Sequence, residues 1–269
     1  MNHLHRDLAP ISTDAWEAIE AEVRRALRTF LTARRIVDFN GPHGYAMSSL
    51  DLGRTGPPHE VPGESVRVAV RESQPLVELR REFEIAWAEL DAVDRGATAI
   101  DLAPAVEAAR SIAVVEDGLV YQGMDAASIT GIAPGSEHEA IAATGGANAV
   151  PPAVTRAVTT LQRAGVEGPY ALVLGTASYT RVVEATEDGY PVVEHLRLVL
   201  EGGAVHHAPA LEGGLVVSLR GGDFELVVGE DLSLGYCDRN DTGVRFFLEE
   251  TMLFRVNAPE AAVVVAVDA

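Results

Sequence analysis

Gly221, Gly222 and Asp223 set a flexible pair beside an acid, which suits a phosphate-cradling turn or an acidic catalytic elbow. A phosphate loop of the G-x-x-x-x-G-K-[ST] type is excluded, because all 21 basic residues are arginine. A dinucleotide turn requires G-x-G-x-x-G between strand and helix, and that spacing does not occur. The pair lies between two strand-like runs, GLVVSL and FELVVG, so a tight hairpin turn is expected there.

The other chemistry-bearing residues are as poorly arranged. His138 and Glu139 begin HEAIA, which lacks the second histidine of a zinc-binding H-E-x-x-H. His206 and His207 are adjacent and on a strand would point to opposite faces. His3 and His5 lie close to the start of the chain, and surface histidines are expected throughout. No G-x-S-x-G serine elbow exists. Cys237 has acidic neighbours, and carboxylates raise a thiol's pKa and suppress the thiolate. The pairs Glu116–Asp117 and Glu249–Glu250 are consecutive, so their side chains diverge, and they read as solvated faces. No catalytic site and no metal or cofactor site is legible.

The elements that would carry any site are clearer. Residues 14–31 form an amphipathic helix with Trp16, Ile19, Val23, Leu27 and Phe30 on one stripe, capped by Ser12, Thr13 or Asp14. Residues 40–64 are dense in Gly, Pro and Ser, and Val66, Val68 and Val70 then alternate as in a half-buried strand: an arm that goes out and returns. A segment that begins as strand and ends as helix spans 73–96, and a long helix opens near Pro104. Residues 152–182 read as helix, buried strand and helix, with a short helix at PVVEHLRLVL. From Gly214 onward four runs are strand-like: GLVVSL, FELVVG, VRFFLEETMLFRV and AAVVVAV.

Bulk properties narrow the classes. The 269 residues hold ample apolar content for a core, and no run of eighteen apolar residues exists to span a membrane. The first residues lack a secretory pattern and there is one cysteine, so a cytoplasmic protein without disulfides is expected. The net charge of −19 disfavours a nucleic-acid partner.

A sizeable chain with no legible site, a long arm and a β-rich end suits an assembly subunit, and here the residues become recognisable. The chain resembles the encapsulin shell proteins, the linocin or bacteriocin-like family, which share the HK97-like fold of tailed-phage capsids. The resemblance is carried by LHRDLAPIS followed by Trp16, ARRIVDFNGPHG, QPLVELRREFEI, LDAVDRG, GVEGPYALVLG, GYPVVEHL, RGGDFELVVGEDLSLGY and FLEETMLFRV, eight blocks in the family's order.

The resemblance implies an α+β fold: a peripheral domain from residues 1–44, 73–133 and the strands of 221–269, an extension loop (E-loop) at 45–72, and an axial domain at 134–220. It implies a homo-oligomer of at least ~60 copies, closed with icosahedral symmetry. The shell would enclose a cargo enzyme, a dye-decolorising peroxidase or ferritin-like protein bearing a targeting peptide. Residues carried over for the peptide groove are Leu27, Phe30, Leu31 and Leu234 for its aliphatic side chains, with Arg34 and Asp38 fixing its ends; Leu27 and Phe30 also suit plain core packing. Glu187, Asp188, Gly189 and Tyr190 match the five-fold pore loop, where the two acids form a cation-favouring ring or are ordinary exposed acids. Ala88, preceded by Trp87, stands where flavin-carrying members bear an aromatic residue, so no flavin is expected. A phage-type capsid packaging DNA is the rival, kept open by the arginines between 24 and 35; a secreted toxin or a protease fits less well.

Overall fold

The computed structural model describes residues 3–187 and 190–267. Helix α1 (Thr13–Phe30) begins where the Ser12 hydroxyl accepts a hydrogen bond from the Ala15 amide at 3.1 Å, so Ser12 is the cap. Its buried face runs through Ala15, Trp16, Ile19, Val23 and Ala26, while Leu27 and Phe30 lie half-buried at the margin.

The first sheet is built on one long strand. Its members are β1 (Asp38–Asn40), β6 (Val77–Ala86), β15 (Phe224–Val228), β16 (Ser233–Arg239) and β17 (Gly243–Val256). Strand β6 lies antiparallel along one edge of β17, from Val77 opposite Met252 to Ala86 opposite Gly243. Along the other edge β15 and β16 run end to end, interrupted at residues 229–232, and β1 adds in parallel to β15. Helices α1, α2 (Trp87–Asp94) and α3 (Ala103–Tyr121) cover one face, closing a core around Trp16, Ile85, Ile112, Phe246 and Leu248. Strand β17 is buried on both faces, which is why its sequence shows no alternation.

The second sheet has the order β13 (Val205–His207), β10 (Tyr170–Leu174), β14 (Gly214–Ser218), β18 (Ala262–Val267), β9 (Ile141–Ala143). Its helices are α5 (Val150–Arg163), α6 (Thr176–Glu184) and α7 (Val192–Val199). Short pieces join the two halves: β7 (Gly123–Met124) pairs with β8 (Ile129–Thr130), followed by the single turn α4 (Ile132–Gly135).

Two expectations change. Gly221 and Gly222 do not close a hairpin: β14 belongs to the second sheet and β15 to the first, and the pair (φ 85° and 83°) bends the chain from one to the other. The final strand, expected with the other strands of 221–269, hydrogen-bonds between β14 and β9 of the second sheet. A run as apolar as AAVVVAV suits a strand covered on both faces, and there Ala262, Val263 and Val265 are buried. Strand β16 was not foreseen, because the interruption at 229–232 breaks the pattern of FELVVGEDLSLGY.

The arm leaves the body as a ribbon. Strand β2 (Ser49–Thr55) pairs with β5 (Arg71–Pro75), and β3 (His59–Glu60) with β4 (Arg67–Val68) beyond them. Every residue from 57 to 73 is exposed, and Val66, Val68 and Val70 are 53%, 52% and 71% exposed. The half-burial expected of this strand is absent within one chain. A two-stranded ribbon without a packed face is marginal in water.

Candidate functional site

A groove of about 340 Å³ runs between the C-terminal half of α1 and the β15–β16 edge of the first sheet. Helical spacing brings Val23, Leu27 and, just past the helix end, Leu31 to one wall. Leu234 and Leu248, directly opposite each other across β16 and β17, form the floor. Leu4 and Leu232 complete the apolar lining. Of the expected groove residues, Leu27, Leu31, Arg34 and Leu234 are therefore together.

Phe30 and Asp38 are elsewhere. The Phe30 ring packs on the helical core with the Arg110 guanidinium 5.6 Å from its centroid. Asp38 is exposed on β1 and lines a separate pocket beside Gly221, its carboxylate accepting from the Gly222 amide at 2.5 Å. Its work is to hold the glycine bend.

Arg34 closes one end of the groove and is bound to its own chain. Its Nε and Nη2 donate to the two oxygens of Glu116 at 2.7 and 2.9 Å, Nη2 also to Glu250 at 2.6 Å, and Nη1 to Asp231 at 2.8 Å. Those four bonds leave one of five N–H donors. Burial disfavours the guanidinium charge, but the bidentate Glu116 contact and the other carboxylates outweigh it and hold the arginine protonated. Burial, and then the Glu116 charge, push the Glu250 carboxyl well up. Glu250 Oε2 has no partner as an acceptor; a protonated Glu250 donating to Glu116 satisfies both groups.

The paired acids thus reverse the reading as solvated faces. Glu116, Asp117, Glu249 and Glu250 are all at most 2% exposed. Asp117 accepts from the Thr32 and Ala33 amides and the Thr32 hydroxyl, which ties down the chain after α1; burial pushes its carboxyl up to about 6. Glu249 accepts from Arg80 at 2.6 Å, and its other oxygen faces His3 Nε2 at 3.8 Å. The signal was in the sequence: an acid inside VRFFLEETMLFRV sits on a strand apolar on both sides and needs a cation that reaches it, here the part-buried Arg34 or the more exposed Arg80.

The histidines expected at the surface are in part half-buried: His138 Nε2 donates to the Glu260 carbonyl at 2.9 Å, and His207 stacks on Tyr179. Burial, then Glu82, raise the Cys237 thiol's pKa. Among the described residues, no three His, Cys, Asp or Glu side chains converge as a metal would need, and no helix is long and apolar enough to cross a membrane. Trp87 opens α2 and its indole N–H donates to the Asn240 carbonyl at 2.9 Å. Of the pore loop, Glu187 ends β11 (Thr186–Glu187), paired with β12 (Tyr190–Pro191), and Tyr190 is 47% exposed beside the His195 ring; Asp188 and Gly189 lie outside the described residues.

Comparison with known proteins follows the same line. The family model described as an encapsulating protein for peroxidase, Linocin_M18, matches residues 1–253. A type 1 encapsulin shell protein of Rhodospirillum rubrum is 46% identical, covering 98% of this chain and 96% of its own. A virus-like particle from Pyrococcus furiosus superposes with a TM-score of 0.66 at 17% identity, over 92% of this chain and 97% of that one. The capsid of Myoviridae phage XM1 does so with 0.54 at 14% identity, over 87% and 90%. The fold is that of HK97-type capsids, and the chain belongs to the encapsulin shell proteins of the Linocin_M18 family.

Proposed function

We propose that at least ~60 copies of this chain close into a hollow icosahedral compartment in the cytoplasm. The compartment encloses an enzyme, a peroxidase or ferritin-like protein, whose peptide tail seats in the α1/β16 groove. The chain itself is a wall and catalyses nothing. The observation that carries the reading is the arm: seventeen consecutive exposed residues, 57–73, with four valines turned to water. Such a limb is stable only when other copies cover it.

In this reading residues 1–44, 73–133 and 221–261 form the peripheral domain, 45–72 the extension loop, and 134–220 with the last strand the axial domain. The Thr186–Glu187 and Tyr190–Pro191 hairpin lies at the five-fold axis, where Glu187 and Asp188 form a ring that favours cations. Peptide capture rests on Leu27, Leu31 and Leu234, while Phe30 and Asp38 serve the fold.

The DNA-packaging reading loses its support in the arginines near α1. Arg25 is paired with Glu22, Arg34 with buried carboxylates, and Arg35 donates to the Arg28 carbonyl. With a net charge of −19 the chain as a whole repels a duplex, and the cations left exposed in that stretch are Arg24, Arg28 and Arg35. Size-exclusion chromatography with negative-stain microscopy and absorbance at 260 and 280 nm tests the proposal. Uniform hollow particles free of nucleic acid support it; a monomer or dimer at neutral pH, or particles filled with nucleic acid, contradict it.

A further inference from the structure

The two ends of the groove differ in charge. At one end Arg6 and Arg24 share a single acid, Glu20, at 2.5 and 3.9 Å. Arg24 is 63% exposed, so that end carries an uncompensated positive charge facing solvent. At the other end one arginine, Arg34, faces Glu116, Glu250 and Asp231. Even with Glu250 protonated, two carboxylates oppose one cation, and the Asp231 side chain is 43% exposed at the groove's rim. Arg34 is therefore a poor receptor for an anion: most of its donors are used and its surroundings are net negative. Between the ends lies a leucine-rich strip with Val23 and one uncharged polar residue, Ser233.

We propose, resting on the groove reading above, that this groove selects its peptide by charge order as well as by aliphatic fit. The occupant carries a cationic side chain at the Arg34–Asp231 end and an anionic group, a side-chain or terminal carboxylate, at the Arg6–Arg24 end. The spacing follows from the helix. Glu20 and Leu31, the groove-lining residue that ends α1, are eleven residues apart, roughly 16 Å at ~1.5 Å per residue. An extended peptide at ~3.3 Å per residue covers that span in about five residues. The cation and anion thus stand about five residues apart, with aliphatic side chains between them. The direction of the chain follows from the same polarity, because the reversed charge order sets like charges together at both ends.

The test loads whole shells in co-expression with a fluorescent protein. Its C-terminal tail has three leucines in a Gly/Ser background, a lysine on one side and a glutamate on the other. The readout is fluorophore per purified particle. Exchanging the tail lysine for glutamine is expected to lower loading about two- to fivefold, as for a rim ion pair, and exchanging it for glutamate further. Asp231→Asn in the shell gives the same loss with the lysine tail. Asp231→Lys recovers loading with the glutamate tail and loses it with the lysine tail. If the Asp231→Lys chain makes no particles, the tail series on the unaltered shell decides alone. Equal loading for lysine, glutamine and glutamate tails on intact shells overturns the inference. A tail with its leucines replaced by serine separates the two levels. Loss of loading there, with no effect of charge, refutes the charge order and keeps the groove. Unchanged loading without leucines refutes the groove itself.

Discussion

Replacing Arg34 by methionine, similar in length but uncharged, leaves Glu116 and Glu250 buried without their cation. Both are 0% exposed and Arg34 only 18%, so water cannot compensate. Breaking a buried ion pair from one side costs about 3–5 kcal/mol. For a chain of this size that lowers Tm by of the order of 10 °C. Glu250→Gln is the informative partner. Its amide keeps an acceptor for Arg34 and replaces the carboxyl proton as the donor toward Glu116, so at neutral pH the change costs less than about 1 kcal/mol. The pH dependence has a fixed sign. Glu250 has a higher pKa folded than unfolded, so the stability tied to its proton is full below about 4.5 and is lost as pH rises toward the folded value. Each unit of elevation corresponds to ~1.4 kcal/mol. Glutamine does not titrate, so the difference in Tm between Glu250→Gln and the unaltered shell moves in the variant's favour from pH 5 to pH 8. The assay is thermal unfolding followed by the fluorescence of Trp16 and Trp87. An Arg34→Met shell that melts within about 2 °C of the parent refutes the buried-pair argument. A Glu250→Gln shell that falls further behind as pH rises refutes the assignment of the proton.

Leu27→Asp is expected to leave particles intact and reduce tail-dependent loading at least tenfold, whereas Phe30→Ala, outside the groove, reduces Tm but leaves loading unchanged; co-purified cargo per particle checks both. Serine at Val66, Val68 and Val70 together changes the single chain's stability by less than about 0.5 kcal/mol per site, because all three are exposed. The same triple change abolishes particles, read by size-exclusion chromatography. Glu187→Gln with Asp188→Asn slows entry of small divalent cations, measured by quenching of a dye sealed inside the shell, and leaves neutral solutes unaffected.

How much was legible in the sequence depended on which interactions decided each feature. Helix α1, its cap and its stripe were legible because they are set by contacts within a few residues. The arm was legible as a texture, and its valines as a strand, but their exposure was not, since burial there depends on other copies of the chain. The Gly221–Gly222 bend was located but misassigned, because only long-range pairing distinguishes a hairpin from a crossing between sheets. Of the groove residues, Leu27, Leu31, Arg34 and Leu234 were foreseen through the family resemblance, while Phe30 and Asp38, carried over with them, lie outside it. Val23 was legible only as part of the α1 stripe, and Leu4, Leu232 and Leu248 were missed, being brought in by the chain's first residues, the interruption at 229–232 and the register of β16 on β17. The four buried acids were read as solvated because consecutive carboxylates diverge, which is correct as geometry. What local spacing cannot show is that both directions lead into the protein, each to its own arginine or cap.

The most direct test of the proposed shell and its covered arm is a cryo-electron microscopy reconstruction of the purified protein. The account predicts closed, hollow icosahedral particles in which residues 57–73 lie buried against a neighbouring copy, with Val66, Val68 and Val70 out of solvent. A free monomer, or particles in which that arm packs on its own body or stays in water, contradicts it.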